Sequence, residues 1–298
     1  MKKLLAITLA ALMIFSFAAC GNNDDTSTDD PNNAVIKIAD AKSLKDLKGM
    51  KIAAQFGTFH EKALTQIEDV KSSTYPEFSD LLTALNSGAI DGYVSEEPTA
   101  LAESLKDDTI TYLPLVNNDT GFTATAADTG IAIATKKGSD LRDTIDAVID
   151  EIPEETKKEL MEQMVKLANG ETVEKLALES EAPETTTGTL KIGMECAYQP
   201  FNWTETSAKS IGAVAISGEG KDGLYANGYD VQIAQYVANK LGLKLEVYAI
   251  EWDSLLPALN SGTIDAVCAG MSPTAERAEE VDFTQTYYES NLVIIIKK

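Results

Sequence analysis

The pattern of hydrophobic and polar residues changes repeatedly between the period of a strand and the period of a helix. The run LKIGM from Leu190 predicts a short apolar strand, and residues 129–135 (TGIAIAT) alternate in the same way. Helical periods separate such strands, and one predicted helix has a single apolar face made of Leu141, Ile145, Val148, Ile149 and Ile152. Because short strands and helices alternate along the chain, we predict an α/β fold with mainly parallel sheets.

One unit of this pattern occurs twice. Residues 81–91 read LLTALNSGAID, and residues 255–265 read LLPALNSGTID. In each copy, leucines at helical spacing are followed by Asn-Ser-Gly, where glycine suits a left-handed helix cap, and then by a short apolar strand, at 264–269 in the second copy. A helix–turn–strand unit that occurs twice predicts two lobes of similar construction.

The residues that follow the two copies differ in charge. After the second copy, Ser272 and Pro273 suit the cap and first position of a helix, and Arg277 follows one turn later. Amides, a hydroxyl and a guanidinium at the end of a strand favour a carboxylate site, although a plain capped helix with a surface arginine fits the motif equally. The first copy leads instead to the carboxylate of Glu96. A cation in one lobe and an anion in the other would suit a zwitterion.

Composition limits the classes of function. The 298 residues are enough for two domains, and they carry a net charge of −22, which disfavours nucleic-acid binding because phosphate contacts need clustered Lys and Arg. The chain has three cysteines, no CxxC motif and a single histidine, His60, so we expect no metal site and no cofactor. Cys196 and Cys268 are interpreted as free buried thiols, and a bridge between them is left open.

The start of the chain predicts export and anchoring. Residues 1–20 place two lysines before an apolar run that is too short for a membrane span, as in a secretory signal peptide. The run ends in Phe17-Ala18-Ala19-Cys20 and resembles a bacterial lipobox, although that motif usually has Leu where Phe17 stands. We therefore expect cleavage before Cys20 and lipid attachment to its thiol. Residues 21–39 begin GNNDDTSTDDPNN and predict a disordered tether.

A further helix start follows the predicted strand at 51–55. Thr58 and Glu61 have the spacing of a capping box. The amides of this helix start would face the end of the strand, so the pattern fits either an anion site or a plain capped helix. His60 is interpreted as a helix-start residue without a chemical role.

Five segments together resemble the extracellular solute-binding proteins of bacterial ABC importers, in the branch for polar amino acids. The segments are IGMECAYQPFNW, NGYDVQIAQYVANKLG, WDSLLPALNSGTIDAVCAGMSPTAERAEEVDFTQTYY, SLKDLKGMKIAAQFGTFHE and LNSGAIDGYVSEEPTA. The resemblance implies a two-lobe periplasmic-binding-protein fold of type II. Each lobe would be a mainly parallel sheet flanked by helices, and a hinge of two crossing strands would join the lobes.

The segments stand in a different order from that of the family, in which the part like 190–298 comes first. This order suggests a circular permutation. The resemblance then implies lobe 2 at 40–128, a hinge strand and helices packing on lobe 1 at 129–175, a linker at 176–189 and lobe 1 at 190–298. The ends near Val35 and Lys298 would fall at the hinge. A monomer is expected, and a swap of lobes between two chains is left open.

The resemblance also implies how each lobe would hold an amino acid. Arg277 would clamp the α-carboxylate, while Gly270 and Ser272, which follow Ala269, would support the α-amino and carboxylate groups. From lobe 2, Thr58 and the amide of Phe59 would complete the carboxylate site, although the family usually has a small polar residue where Phe59 stands. Glu96 would hold the α-ammonium, at a place where the family usually has Asp. Around the ligand side chain, the expected residues are Tyr198, Phe201, Trp252, Gln55 and Glu195; ordinary core packing is the alternative for the aromatic residues.

We therefore expect a lipid-anchored, non-catalytic receptor on the outer face of the cytoplasmic membrane. It would capture a free polar amino acid and deliver it to ABC permease and ATPase subunits. A basic amino acid, arginine first, is predicted because an acidic residue at the place of Glu195 meets the cationic end of the side chain in the family's basic-amino-acid receptors. If Glu195 instead pairs with a protein group or faces solvent, glutamine or cystine would fit. Two other functions stay open: an elimination enzyme of the cyclohexadienyl-dehydratase-like group, with Glu195 and Glu96 as acid or base, and a sensor feeding a signalling receptor.

Overall fold

The computed structural model describes residues 37–115 and 119–298. The predicted signal peptide, the predicted lipidation site Cys20 and the tether up to residue 36 lie outside the described residues. The last part of the predicted tether is structured, because Ile38–Asp40 forms a short 3-10 helix. Within the described ranges, no helix combines the length and the apolar character needed to cross a membrane.

Short strands and helices alternate along the chain, as the hydrophobic pattern predicts. The strands are β1 (Ile52–Gln55), β2 (Ser73–Tyr75), β3 (Gly92–Glu96), β4 (Ile110–Leu113), β5 (Gly130–Lys136), β6 (Thr189–Met194), β7 (Ala197–Tyr198), β8 (Asn202–Glu205), β9 (Val214–Ala215), β10 (Tyr225–Asn227), β11 (Lys244–Ala249), β12 (Ala266–Val267), β13 (Val281–Glu289) and β14 (Leu292–Lys297). The helices are α1 (Phe59–Leu64), α2 (Phe78–Ser87), α3 (Glu97–Lys106), α4 (Ala126–Thr129), α5 (Leu141–Ile149), α6 (Glu154–Ala168), α7 (Tyr229–Lys240) and α8 (Leu255–Ser261).

Two five-stranded sheets define the two lobes. Lobe 2 contains the sheet β2-β1-β3-β14-β4, and lobe 1 contains the sheet β11-β6-β12-β5-β13. A small antiparallel sheet has the strand order β7-β8-β10-β9. The predicted α/β two-lobe architecture of type II is confirmed. The sheets are mixed, however, because β14 in lobe 2 and β5 in lobe 1 each run antiparallel to both neighbours.

The chain passes between the two sheets at two neighbouring places. One passage leads from β4 to β5, and the other joins β13 to β14 through Ser290 and Asn291. The two passages lie side by side, since β5 and β13 pair as far as Gly130 and Glu289, and the Ser290 amide donates to the Thr129 carbonyl at 3.3 Å. Paired strands at both passages are the arrangement expected of a hinge.

The end of the chain corrects the predicted lobe boundary. The segment 190–298 is predicted to lie wholly in lobe 1, but β14 pairs with β3 and β4 of lobe 2. The apolar run LVIII explains the difference, because it is a central strand that the lobe 2 sheet needs between β3 and β4. Since β14 runs away from Asn291, Lys298 lies at the far end of the sheet from the hinge, beside Thr109, and not at the hinge as predicted.

The repeated sequence unit has the same geometry in both copies. Gly88 and Gly262 end α2 and α8 in the left-handed conformation, with φ of 75° and 79°. The following aspartates also match: Asp91 Oδ2 accepts the Lys51 amide at 2.8 Å, and Asp265 Oδ2 accepts the Lys191 amide at 2.8 Å. The sequence repeat therefore records a structural repeat, one copy in each lobe.

The predicted helix after Gly270 is absent from the described fold. Residues 271–274 have no regular secondary structure: the Thr274 amide donates to the Ser272 carbonyl at 2.9 Å, and a 3-10 turn, Arg277–Glu279, follows. Pro273 is compatible with a turn as well as with a helix start, because its fixed φ suits both. The preceding strand is also shorter than predicted, at Ala266–Val267. Arg277 is thus carried by a loop and not by a helix.

Candidate functional site

Strands β1 and β6, each of which pairs with the strand that follows one copy of the repeat, end beside each other at the cleft between the lobes. Gln55 stands four residues after Lys51 at the end of β1, and Glu195 stands four residues after Lys191 just beyond β6. The Gln55 amide nitrogen donates to both oxygens of Glu195 at 3.2 Å. It also donates to the Pro76 carbonyl at 3.1 Å. The predicted pocket residues Gln55 and Glu195 therefore meet directly.

Glu195 lies buried without a cation in the described part of the chain. Its Oε1 accepts the Phe78 amide at 3.2 Å, and its carboxyl also shares a hydrogen bond with Glu77. Burial, with the hydrogen bond to Glu77, raises the pKa of the Glu195 carboxyl to about 8. At neutral pH this carboxyl is therefore largely protonated, and the proton removes the cost of burying a charged carboxylate without a cation.

Arg277 lies between the lobes. One terminal nitrogen donates to the Ser272 carbonyl of its own loop at 2.9 Å, and the other donates to the Gly57 carbonyl of lobe 2 at 2.9 Å. The guanidinium carbon is 5.2 Å from the centre of the Trp252 ring, in a cation–π arrangement. Burial lowers the pKa of Arg277 to about 10, so the group stays charged at neutral pH. Two of its five N–H donors are used by these carbonyls, and three remain for an anion.

Glu96 forms a buried pair with the single histidine of the chain. Glu96 Oε1 is 2.7 Å from His60 Nε2, and both side chains are buried. Glu96 Oε2 and His60 Nδ1 have no hydrogen-bond partner in the described structure. His60 does lie at the start of α1, as predicted, and its ring in addition pairs with Glu96, which the sequence did not indicate. Its short helix turns the ring inward, toward the end of β3.

An aromatic contact closes the centre of the cleft. The rings of Phe78 in lobe 2 and Tyr198 in lobe 1 are 4.3 Å apart, and Tyr198 packs on Phe201 at 5.0 Å. Phe201 is fully buried, which agrees with the core-packing alternative for this residue. Gly270, with φ of 65°, passes so close to Tyr198 that an added Cβ would lie 2.9 Å from the ring. The Tyr198 hydroxyl is buried without a partner in the described part.

The remaining predicted residues lie near Arg277. Thr58 is buried, and its hydroxyl donates to the Gln55 carbonyl at 2.7 Å, so it does not cap α1. The predicted capping box is therefore incomplete, although Glu61 does accept the Gly57 amide at 2.8 Å. Phe59 is half-buried beside Thr58. A cavity of about 540 Å³ is lined by both residues together with Gly57, Glu61, Lys62, Thr65, Leu256, Thr274, Glu276, Arg277 and Glu280.

Beneath the loop that carries Gly270 lies a polar network that sequence reasoning missed. Asp230 is fully buried, and it accepts hydrogen bonds from the Tyr287 hydroxyl at 2.6 Å and from Asn202 at 2.8 Å. The Gly270 amide also donates to its carboxylate. Burial raises the pKa of Asp230 to about 7, against the lowering effect of these donors. Ser272 and Ala269 are buried in the same loop, so the network fixes the backbone on which the predicted site depends. Cys196 and Cys268 are both free and buried, as expected.

The described fold has two lobes joined at paired strands, with charged groups facing a cleft between them. Comparison with known proteins shows which families and proteins the chain is similar to. Residues 217–298 match the model described as bacterial extracellular solute-binding proteins, family 3. The match covers this part of the chain and agrees with the resemblance stated from the sequence.

The curated relatives are amino-acid-binding proteins. The chain is 42% identical over 109 residues to the arginine-binding extracellular protein ArtP of Bacillus subtilis. This match covers 37% of this chain and 36% of ArtP. It is 35% identical over 113 residues to a probable histidine-binding protein of Campylobacter jejuni, covering 38% of each chain. A solved structure of the ancestral amino-acid-binding protein AncCDT-1, described as a precursor of cyclohexadienyl dehydratase, is 32% identical over 32% of this chain and 35% of that one, with a TM-score of 0.25. The chain thus spans little more than a third of the length of these curated relatives.

Proposed function

We propose that the protein binds a free polar amino acid in the cleft between its lobes and presents it to the permease and ATPase subunits of an ABC importer. One observation carries the proposal. Arg277 and Glu96 contact the same short turn, Gly57 to His60, from two sides: Arg277 through the Gly57 carbonyl and Glu96 through the His60 ring. The remaining N–H donors of Arg277 and the unpartnered Oε2 of Glu96 therefore lie near the same turn, where they can bind the two charges of an α-amino acid.

In this proposal, the roles predicted from the sequence apply with two changes. Arg277 binds the α-carboxylate beside Thr58, and Glu96 Oε2 binds the α-ammonium. Trp252 stacks on Arg277 and so positions the clamp, whereas the sequence assigned it to the wall of the side-chain pocket. Tyr198 contributes that wall together with Phe78, a residue that sequence reasoning did not select.

We further propose that the ligand is a basic amino acid, with arginine first. The buried carboxyl of Glu195 and the unpartnered hydroxyl of Tyr198 support a cationic, hydrogen-bonding side chain. The proposal includes export, anchoring to the outer face of the membrane through Cys20, and action as a monomer. It also includes the lobe assignment with β14 placed in lobe 2, and the permuted order of segments.

A thermal-shift screen against each of the standard amino acids tests the binding function. A ligand present at about 100 times its Kd stabilises the folded state by about 2.7 kcal/mol, which is readily measured as a rise in Tm. We expect arginine, lysine or histidine to raise the Tm most. If no amino acid raises the Tm and calorimetry detects no binding, the proposed function is wrong.

A second candidate function is favoured by the protonated state of Glu195. A carboxyl with a pKa of about 8 is a competent general acid at neutral pH, and Glu96 would be the complementary base in an elimination from a cyclohexadienyl acid. Release of the aromatic product, followed by its ultraviolet absorbance, would identify this activity. The relatives named above are binding proteins, so capture without chemistry is the first proposal.

A further inference from the structure

Glu77 is the residue of the cleft whose position no sequence pattern indicates. It precedes α2 with extended backbone, φ −111° and ψ 146°, and its side chain makes no helix-capping hydrogen bond. The side chain instead shares a hydrogen bond with Glu195 of the opposite lobe. Two carboxyl groups, one from each lobe, thus meet where the cleft closes.

The groups around this pair are otherwise neutral. Lobe 2 supplies the Gln55 amide and the Phe78 amide, and lobe 1 supplies the neighbouring thiol of Cys196. No lysine or arginine of the described residues forms an ion pair with Glu195 or Glu77. Burial and the neighbouring carboxyl group raise the pKa of Glu195, so Glu195 keeps its proton when no cation lies beside it.

Resting on the proposed function, we infer that Glu77 is a specificity-determining residue, which with Glu195 forms a two-carboxylate subsite for the guanidinium or ammonium group of a basic ligand. Glu195 is 8% exposed, so the cation would be largely removed from water. Charge-assisted hydrogen bonds to two carboxylates then replace its hydration. A ligand with a neutral side chain would leave the proton on Glu195.

The exchange of a proton for the ligand cation gives the inference a direct test. When a cationic side chain contacts both carboxyl groups, its charge lowers the raised pKa of Glu195, so the Glu195 proton is released. Calorimetry of the purified full chain at pH 7, in two buffers with different ionisation enthalpies, measures the number of protons released. We expect arginine to release about one proton, since a carboxyl with a pKa of about 8 is mostly protonated at this pH, and glutamine to release none.

Variants separate the roles of the two carboxylates. Glu77→Gln is expected to weaken arginine binding about tenfold or more, the loss of one charge-assisted hydrogen bond, and to leave glutamine binding unchanged. Glu195→Gln is expected to abolish the proton release. Asp80→Asn is the matched control, because Asp80 lies in the first turn of the same helix, and we expect it to bind arginine as the wild type does.

The outcomes distinguish this inference from the proposed function. If amino acids bind but arginine releases no proton, or if Glu77→Gln binds arginine as tightly as wild type, the two-carboxylate subsite is wrong and amino-acid capture stands. If Glu77→Gln weakens arginine and glutamine binding equally, Glu77 supports closure and not specificity, which also overturns the inference. If no amino acid binds to wild type, the proposed function itself has failed.

Discussion

Replacement of Arg277 by alanine is the most demanding test of the proposed carboxylate clamp. In the structure, the guanidinium donates one N–H to the Ser272 carbonyl and one to the Gly57 carbonyl, and these two hydrogen bonds fix its plane. Three of its five N–H donors remain. The centre of the Trp252 ring lies 5.2 Å from the guanidinium carbon. Such a pre-positioned, partly buried fork can bind a carboxylate through two parallel hydrogen bonds.

The expected loss follows from this geometry. Truncating one partner of a buried, hydrogen-bonded charge pair costs about 2–5 kcal/mol, which corresponds to a roughly 30-fold to several-thousandfold rise in Kd. Stability should change much less, because Arg277 is half-buried and its removal leaves little cavity volume. Arg277→Lys should recover part of the affinity, since lysine keeps the charge but not the fork.

Calorimetric titration with the amino acid that gives the largest thermal shift measures these differences. Arg142→Ala is the matched control, because Arg142 pairs only with Asp143 and Asp146 on α5, away from the cleft. Denaturant unfolding of each variant shows whether a loss of binding reflects a loss of folding. If Arg277→Ala binds as tightly as Arg142→Ala and wild type, the carboxylate does not lie at Arg277 and the site assignment fails.

Three further changes test the surrounding structure. Gly270→Ala should weaken binding about tenfold or more, because the new Cβ would press on the Tyr198 ring and because φ of 65° disfavours a side chain; unchanged affinity in calorimetry would contradict the close approach. For Asp230, the folded pKa of about 7 lies above the ordinary value of an aspartate, about 3.9, so its contribution to stability is complete below about pH 4 and is lost as the pH rises through 7. Asp230→Asn should therefore show a weaker fall in Tm between pH 5 and pH 8 than wild type, and parallel Tm curves would refute this. Cys20→Ser should move the protein from the membrane fraction to the soluble fraction on cell fractionation, and retention in the membrane would contradict lipid anchoring.

The fold was predictable where one short segment contains its own signals. Both copies of the repeat show this, because leucine spacing, a left-handed glycine and a following aspartate each act within a dozen residues. The prediction of a helix after Pro273 was wrong, because a cap residue and a proline are equally compatible with an irregular turn. Packing in the loop then decided between the two conformations.

The assignment of β14 to lobe 1 failed for a different reason. A continuous apolar strand indicates burial on both faces but does not indicate which sheet it joins. The choice depends on the passage through Ser290 and Asn291, and so on contacts with β3, whose sequence lies almost 200 residues earlier. Pairing between distant segments is information that local periodicity does not contain.

The candidate site divides along the same line. Arg277, Glu96 and Glu195 were predicted as site residues because they follow strands, and because the repeat and the family motifs indicate that these positions face the cleft. Glu77 and Phe78 were missed because they stand in an irregular segment before α2, and their role depends on contact with the opposite lobe. The two sets are linked by one physical requirement. The ends of β1 and β6 meet at the cleft, so a carboxylate buried at one end must be neutralised by a proton or by a cation. Here the described part of lobe 2 supplies amides and a second carboxyl group but no cation, so Glu195 is neutral because it keeps its own proton. The same arrangement would accept a ligand cation in place of that proton, so closure of the lobes and choice of ligand depend on one pair of side chains.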